Sequence, residues 1–112
     1  MDDDTALLKF QIELLTHLVD SERDPFAYLC LEMRLTRHQK ERIFALMDEA
    51  KASLRATPMD HSEFERRVYE ICPAQHGDYH FAESIVSSLN KSGRWPEVFK
   101  HMQANGMNLS GE

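Results

Sequence analysis

Thr36-Arg37-His38-Gln39-Lys40-Glu41-Arg42-Ile43-Phe44-Ala45-Leu46-Met47-Asp48-Glu49-Ala50 decides the fold. Thr36 and Gln39 match a capping box, in which the hydroxyl accepts from the third helical N–H while the Gln side chain returns to the cap's own N–H. Ile43, Met47, Ala50 and Leu54 then recur at helical steps, with Phe44 and Leu46 alongside. Arg37, Lys40, Glu41, Asp48, Glu49, Lys51 and Arg55 fill the wet faces. This spacing predicts a long amphipathic helix to about Ala56, stopped by Thr57-Pro58 because the residue before proline disfavours helical geometry. No stretch of the chain shows sustained strict alternation of apolar and polar residues, so the expected class is all-α.

Upstream, Asp24 can cap a short helix whose first residue is Pro25, where a missing N–H is harmless. Phe26, Leu29, Cys30 and Met33 form its apolar face, and it should end near Arg34. Before the polar break Asp20-Ser21-Glu22-Arg23, a first helix is expected from about Asp4 to Val19, with acidic residues at its positive end. Leu8, Ile12, Leu15 and Val19 form a coiled-coil-like seam, widened on one side by Leu7, Leu14 and Leu18, while Phe10 falls outside it. A helix this apolar needs cover on more than one side, from the rest of the fold or from a second copy.

Downstream, Asp60 and Glu63 repeat the capping signature, and Met59 with Phe64 is placed to form a hydrophobic staple. The helix that follows buries Phe64, Val68 and Ile71 and ends at Cys72-Pro73. Asp78 is the expected cap of a fifth helix with the stripe Ala82, Ile85, Val86 and Leu89, closed by Gly93. Trp95-Pro96 opens the last helix, carrying Val98, Phe99 and Met102 to Asn105-Gly106, and residues 107–112 read as a flexible tail. The expectation for 1–112 is thus one compact multihelical bundle of about six helices, two of them short.

At 112 residues the chain can bury roughly two-thirds of its unfolded surface around one core. The longest nearly apolar run, Phe26 to Leu31, is far too short to span a bilayer, and Met1-Asp2-Asp3-Asp4 lacks the basic start of a secretion signal. Cys30 and Cys72 sit in apolar periodic segments, as reduced core thiols do, which places the chain in the cytoplasm. The net charge of −6 opposes nucleic-acid binding over the whole surface.

Catalytic chemistry finds no foothold: there is no Gly-rich phosphate loop, no HExxH and no Gly-x-Ser-x-Gly, and the carboxylates are scattered. His76 and His80 have a four-residue spacing that with Cys72 and Asp78 offers a weak metal set, but Gly77 and Pro73 interrupt any shared helical face. We therefore assign no metal and no cofactor. Arg34, Arg37, His38, Lys40 and Arg42 form the one basic stretch and could be drawn as a helix-turn-helix. Glu41 and Glu32 offset it, so a solvated face near a partner contact is the plainer reading, with Arg37 and Lys40 as contact residues. Phe81, off the main stripe of its helix, is the candidate interface aromatic.

The segment Asp24-Pro25-Phe26-Ala27-Tyr28-Leu29, followed by Leu35-Thr36 opening a long helix, resembles the YhaI-like family of small uncharacterised proteins of Bacillus and its relatives. The run His80 to Leu89, then Gly93 and Glu97-Val98-Phe99, extends the resemblance over nearly the whole length. It implies a compact multihelical fold and self-association, with no catalytic or binding residues to carry over. Together these readings give a non-enzymatic, self-associating helical interaction module with Leu7, Leu8, Ile12, Leu15 and Val19 at the interface between copies. The alternative is a DNA-binding regulator using segment 34–42.

Overall fold

In the computed structural model, which describes residues 3–20, 22–78 and 80–109, every expected helix forms. They are α1 (Asp3–Leu18), α2 (Pro25–Met33), α3 (Arg37–Ser53), α4 (His61–Ile71), α5 (Phe81–Lys91) and α6 (Pro96–Ala104), with a 3-10 turn at Pro73–Gln75. The protein is all-α, and no strand occurs among the described residues.

The starts are set by local hydrogen bonds. The Asp24 carboxylate accepts from the Ala27 N–H at 3.1 Å, with Pro25 as first residue of α2. Both arms of the capping box are present at α3: the Gln39 N–H donates to Thr36 Oγ1 at 3.1 Å and the Thr36 N–H to Gln39 Oε1 at 2.9 Å. Asp60 accepts from the Glu63 N–H at 2.8 Å, and the flanking Met59 and Phe64 are both buried.

Two boundaries differ from expectation. α3 ends at Ser53, ahead of Ala56, because Ser53 Oγ donates to the Ala50 carbonyl (2.7 Å) while accepting from the Met59 N–H (2.9 Å), folding the chain back before Pro58 is reached. α5 starts at Phe81 and is not capped by Asp78. The Asp78 carboxylate instead accepts from the His80 N–H (3.0 Å), and its carbonyl accepts from the Tyr69 hydroxyl (2.5 Å) and the Phe81 N–H (3.1 Å), closing a turn.

α5 is the central helix, packed against α2, α4 and α6. A helix touched on three sides buries more than one stripe, and here Phe81 and Ser88 go inside with Ala82, Ile85, Val86 and Leu89. Phe81 has no exposed surface, which corrects its reading as an interface aromatic: it is core, 6.3 Å from the Tyr69 ring. α3 supplies Ile43, Leu46, Met47 and Ala50, and α6 supplies Val98, Phe99 and Met102.

The ends of α5 and α6 share one closure. Gly93 at φ 80° lets the Arg94 N–H reach the Leu89 carbonyl (2.9 Å), and Gly106 at φ 103° lets the Met107 N–H reach the Met102 carbonyl (3.0 Å). This Schellman geometry turns the residue after the glycine back against the last helical turn. Met107 is consequently buried, and so is Leu109, whose carbonyl Gln103 approaches at 3.5 Å. The expected flexible tail is thus corrected for 107–109; residues 110–112 lie outside the described set.

On the surface, Arg67 of α4 grips Glu49 of α3 with two hydrogen bonds of 2.7 and 3.1 Å. The hydrogen bonds from Arg67 hold the Glu49 carboxyl below its ordinary range against the opposing effect of burial, with the Arg67 charge adding to them. A depressed folded pKa stabilises the fold above the unfolded value, about 4.3, and this contribution is lost as pH falls through the folded value. The pair is solvent-screened, so it is worth under about 1 kcal/mol. Urea unfolding should show Glu49→Gln less stable than wild type at pH 7, with the difference closing below about pH 4. A gap that does not narrow as pH falls through the carboxylate range would assign it to something other than this charge.

The radius of gyration is 15.4 Å, against about 13 Å for a compact chain of this length. The excess comes from one element: α2 to α6 form the bundle, and α1 leans on α2 and extends from it, giving a longest dimension of 53 Å.

Candidate functional site

No residue of α1 is buried. Leu7, Leu8, Phe10, Ile12, Leu14, Leu15 and Leu18 expose between 49% and 80% of their surface. At about 100° per residue these side chains cover an arc of about 200° of the helix, leaving Lys9, Glu13 and Thr16 to the remaining face. Phe10 thus lies on the arc's edge. Of the five expected interface positions, Leu7, Leu8, Ile12 and Leu15 lie together on this surface. Val19 does not, because α1 ends at Leu18 and Val19 is half-buried beyond it.

Beside the entry to α2 lies a cleft of about 410 Å³ that the sequence did not reveal. Its floor is apolar: Phe26, Ala27 and Cys30 with the exposed Leu31 and the half-buried Leu35. Its rim carries two cations brought from far apart in the chain, Lys40 and Arg94. The Arg94 guanidinium stands 4.5 Å from the Phe44 ring centroid and 5.4 Å from that of Trp95, and Lys40 Nζ stands 5.4 Å from Phe44. The Phe26, Phe44 and Trp95 rings lie against one another, tilted, at 5.5 and 5.2 Å, so the cations sit on an aromatic shelf. Neither forms an ion pair among the described residues.

Two strained residues shape this cleft. Arg34 (φ 58°) and Trp95 (φ 51°) are the non-glycine residues in the left-handed region among those described, a conformation costing about 1–2 kcal/mol each. Arg34 turns the chain so that the Leu35 N–H donates to the Cys30 carbonyl (3.0 Å), laying Leu35 over α2. Trp95 is held by its indole N–H, which donates to Asp48 at 3.0 Å.

The basic stretch does not form one patch. Lys40 lies over Phe44 at the cleft, whereas the charge of Arg42 is felt at Cys72, where it opposes the upward shift of that thiol. Arg37 is exposed on the first turn of α3.

Burial pushes both thiols above their ordinary range, against Lys40 at Cys30 and Arg42 at Cys72. A raised thiol pKa lowers the nucleophilic thiolate fraction at neutral pH. The residues weighed for a metal are otherwise engaged. Cys72 is in the core, His76 packs edge-on to Tyr69 at 5.8 Å, Asp78 closes its turn, and His80 Nδ1 lies 2.9 Å from Glu83 Oε1. Among the described residues no group of three or more His, Cys, Asp or Glu side chains is placed to hold a metal ion.

The His80–Glu83 pair borders a second cleft of about 460 Å³ between α2 and α5, with Glu32, Ser84, Ser87 and Lys91 on its walls. Ser88 there donates to the Ile85 carbonyl of its own helix at 3.2 Å.

Among the described residues no helix is long and apolar enough to cross a membrane. No family model, no curated protein and no solved structure matches the chain, so the resemblance to YhaI-like proteins rests on the residues quoted for it.

Proposed function

We propose that this protein is a non-enzymatic helical interaction module that self-associates through α1. The observation that carries this reading is one 16-residue helix with no buried residue and seven large apolar side chains about half in water. Such a surface is far more than the scattered apolar residues every soluble protein exposes.

Magnitudes favour association. Removing the exposed half of seven such side chains from water is worth on the order of 5–10 kcal/mol per copy. A pair of chains gains this twice, against an association cost of about 4–15 kcal/mol. A second copy also has the right shape, because Leu8, Ile12 and Leu15 follow the four-then-three spacing by which two helices interlock. Their faces are then self-complementary, as a two-fold interface requires.

Light scattering across a dilution series tests the reading. At about 50 µM, well above a micromolar dissociation constant, the mass should exceed that of one chain and fall on dilution. A strict monomer at that concentration overturns it.

A further inference from the structure

We infer that the Lys40/Arg94 cleft is the receptor for the acidic first turn of α1 from a second copy, so that two chains clasp each other reciprocally. The inference rests on self-association through α1 and adds where the partner's helix ends up.

The arc of α1 is the first argument. Packing one helix against another covers a narrow seam, and about 200° of apolar surface calls for two neighbours. A second α1 fills one of them. The other must come from the body of the partner, and Leu31, Ala27 and Leu35 on the cleft floor are apolar surface of that body open to water or half so.

Geometry supplies the second. α1 spans about 24 Å at 1.5 Å per residue. If two copies of α1 lie antiparallel, the first turn of each sits beside the last turn of the other, where the chain passes through residues 19–24 into α2. Asp24, at the end of that passage, borders the cleft. The antiparallel pairing therefore brings each helix start to the passage that ends, at Asp24, on the border of the other chain's cleft.

Charge is the third. The first turn of α1 carries Asp3 and Asp4. The cleft offers Lys40 and Arg94, both exposed, without an ion pair among the described residues, and held in place by the Phe44 and Trp95 rings. Asp24 is the one acid on its rim, against the two cations Lys40 and Arg94, so the rim is net positive. In a protein of net charge −6, two exposed cations over an apolar floor are a specific match for a helix that begins with acids and continues with leucines.

The test uses two charge-reversed full-length chains, Asp3→Lys with Asp4→Lys, and Lys40→Glu with Arg94→Glu. Each alone faces like charge across the clasp, and its dimer dissociation constant, read by sedimentation equilibrium at low salt, should rise about tenfold to a hundredfold. Mixed one to one, each reversed helix meets a reversed cleft, and heterodimers should form with an affinity within about threefold of wild type. Recovery on mixing also shows that both variants are folded. Should the Glu variant misfold alone, Lys40→Gln with Arg94→Gln supplies the milder loss in its place.

Reversals that leave the dissociation constant within about twofold, or that weaken it without recovery on mixing, overturn the clasp while leaving α1 association standing. A wild-type monomer at about 50 µM removes both.

Discussion

Leu15→Asp should convert the protein to a monomer without unfolding it. Leu15 closes the α1 seam of Leu8, Ile12 and Leu15 and is 60% exposed in the single chain, so an aspartate there meets water and changes folding by under about 0.5 kcal/mol. In a helix pair the same carboxylate would be buried against leucines without a partner, at a cost of several kcal/mol. The dissociation constant should rise at least about a hundredfold, which is about 2.7 kcal/mol. Sedimentation velocity reads the association, and urea unfolding at low concentration reads the fold. A large loss of folding stability in the monomer, or a dimer that tolerates the substitution, would each contradict this account of α1.

Phe81→Ala is expected to do the reverse: loss of stability with no direct effect on pairing. The ring is fully buried at the start of the central helix, where truncation removes its transfer energy and leaves a cavity that α2, α4 and α6 cannot collapse to fill. Such changes cost about 3–5 kcal/mol. The urea midpoint should fall accordingly, and at temperatures where the variant remains folded its association should match wild type. A change below about 1 kcal/mol together with weakened dimerisation would return Phe81 to the surface role that its sequence position suggested.

The difference between what could be read ahead and what could not follows the range of the interactions. Asp24, Thr36 with Gln39, and Asp60 act on N–H groups three residues away, so a short window of sequence contains both partners. The stripes of α3, α4 and α6 were legible for the same reason. Phe81 was misread because how wide an arc a helix buries depends on how many neighbours it has, and α5 acquires three only when the chain closes. Met107 and Leu109 looked like a tail because their burial depends on Gly106 reversing the chain, and nothing local says that a surface awaits them. The apolar excess of α1 was visible in the sequence; that the bundle leaves it uncovered was not. The cleft was wholly hidden, since Lys40 and Arg94 meet over Phe44 only in three dimensions.

Trp95 gives this arrangement a practical consequence. It is the chain's one tryptophan, and its indole is locked by Asp48, packed at a tilt against Phe44 and flanked by the Arg94 guanidinium at the edge of the cleft. Its emission is therefore a built-in optical gauge of that corner of the molecule: in the proposed clasp, acidic groups arriving at Arg94 would alter the field across the ring, and dissociation would reverse the change. Kinetics of the proposed partner exchange could then be followed in the unlabelled protein, by fluorescence alone.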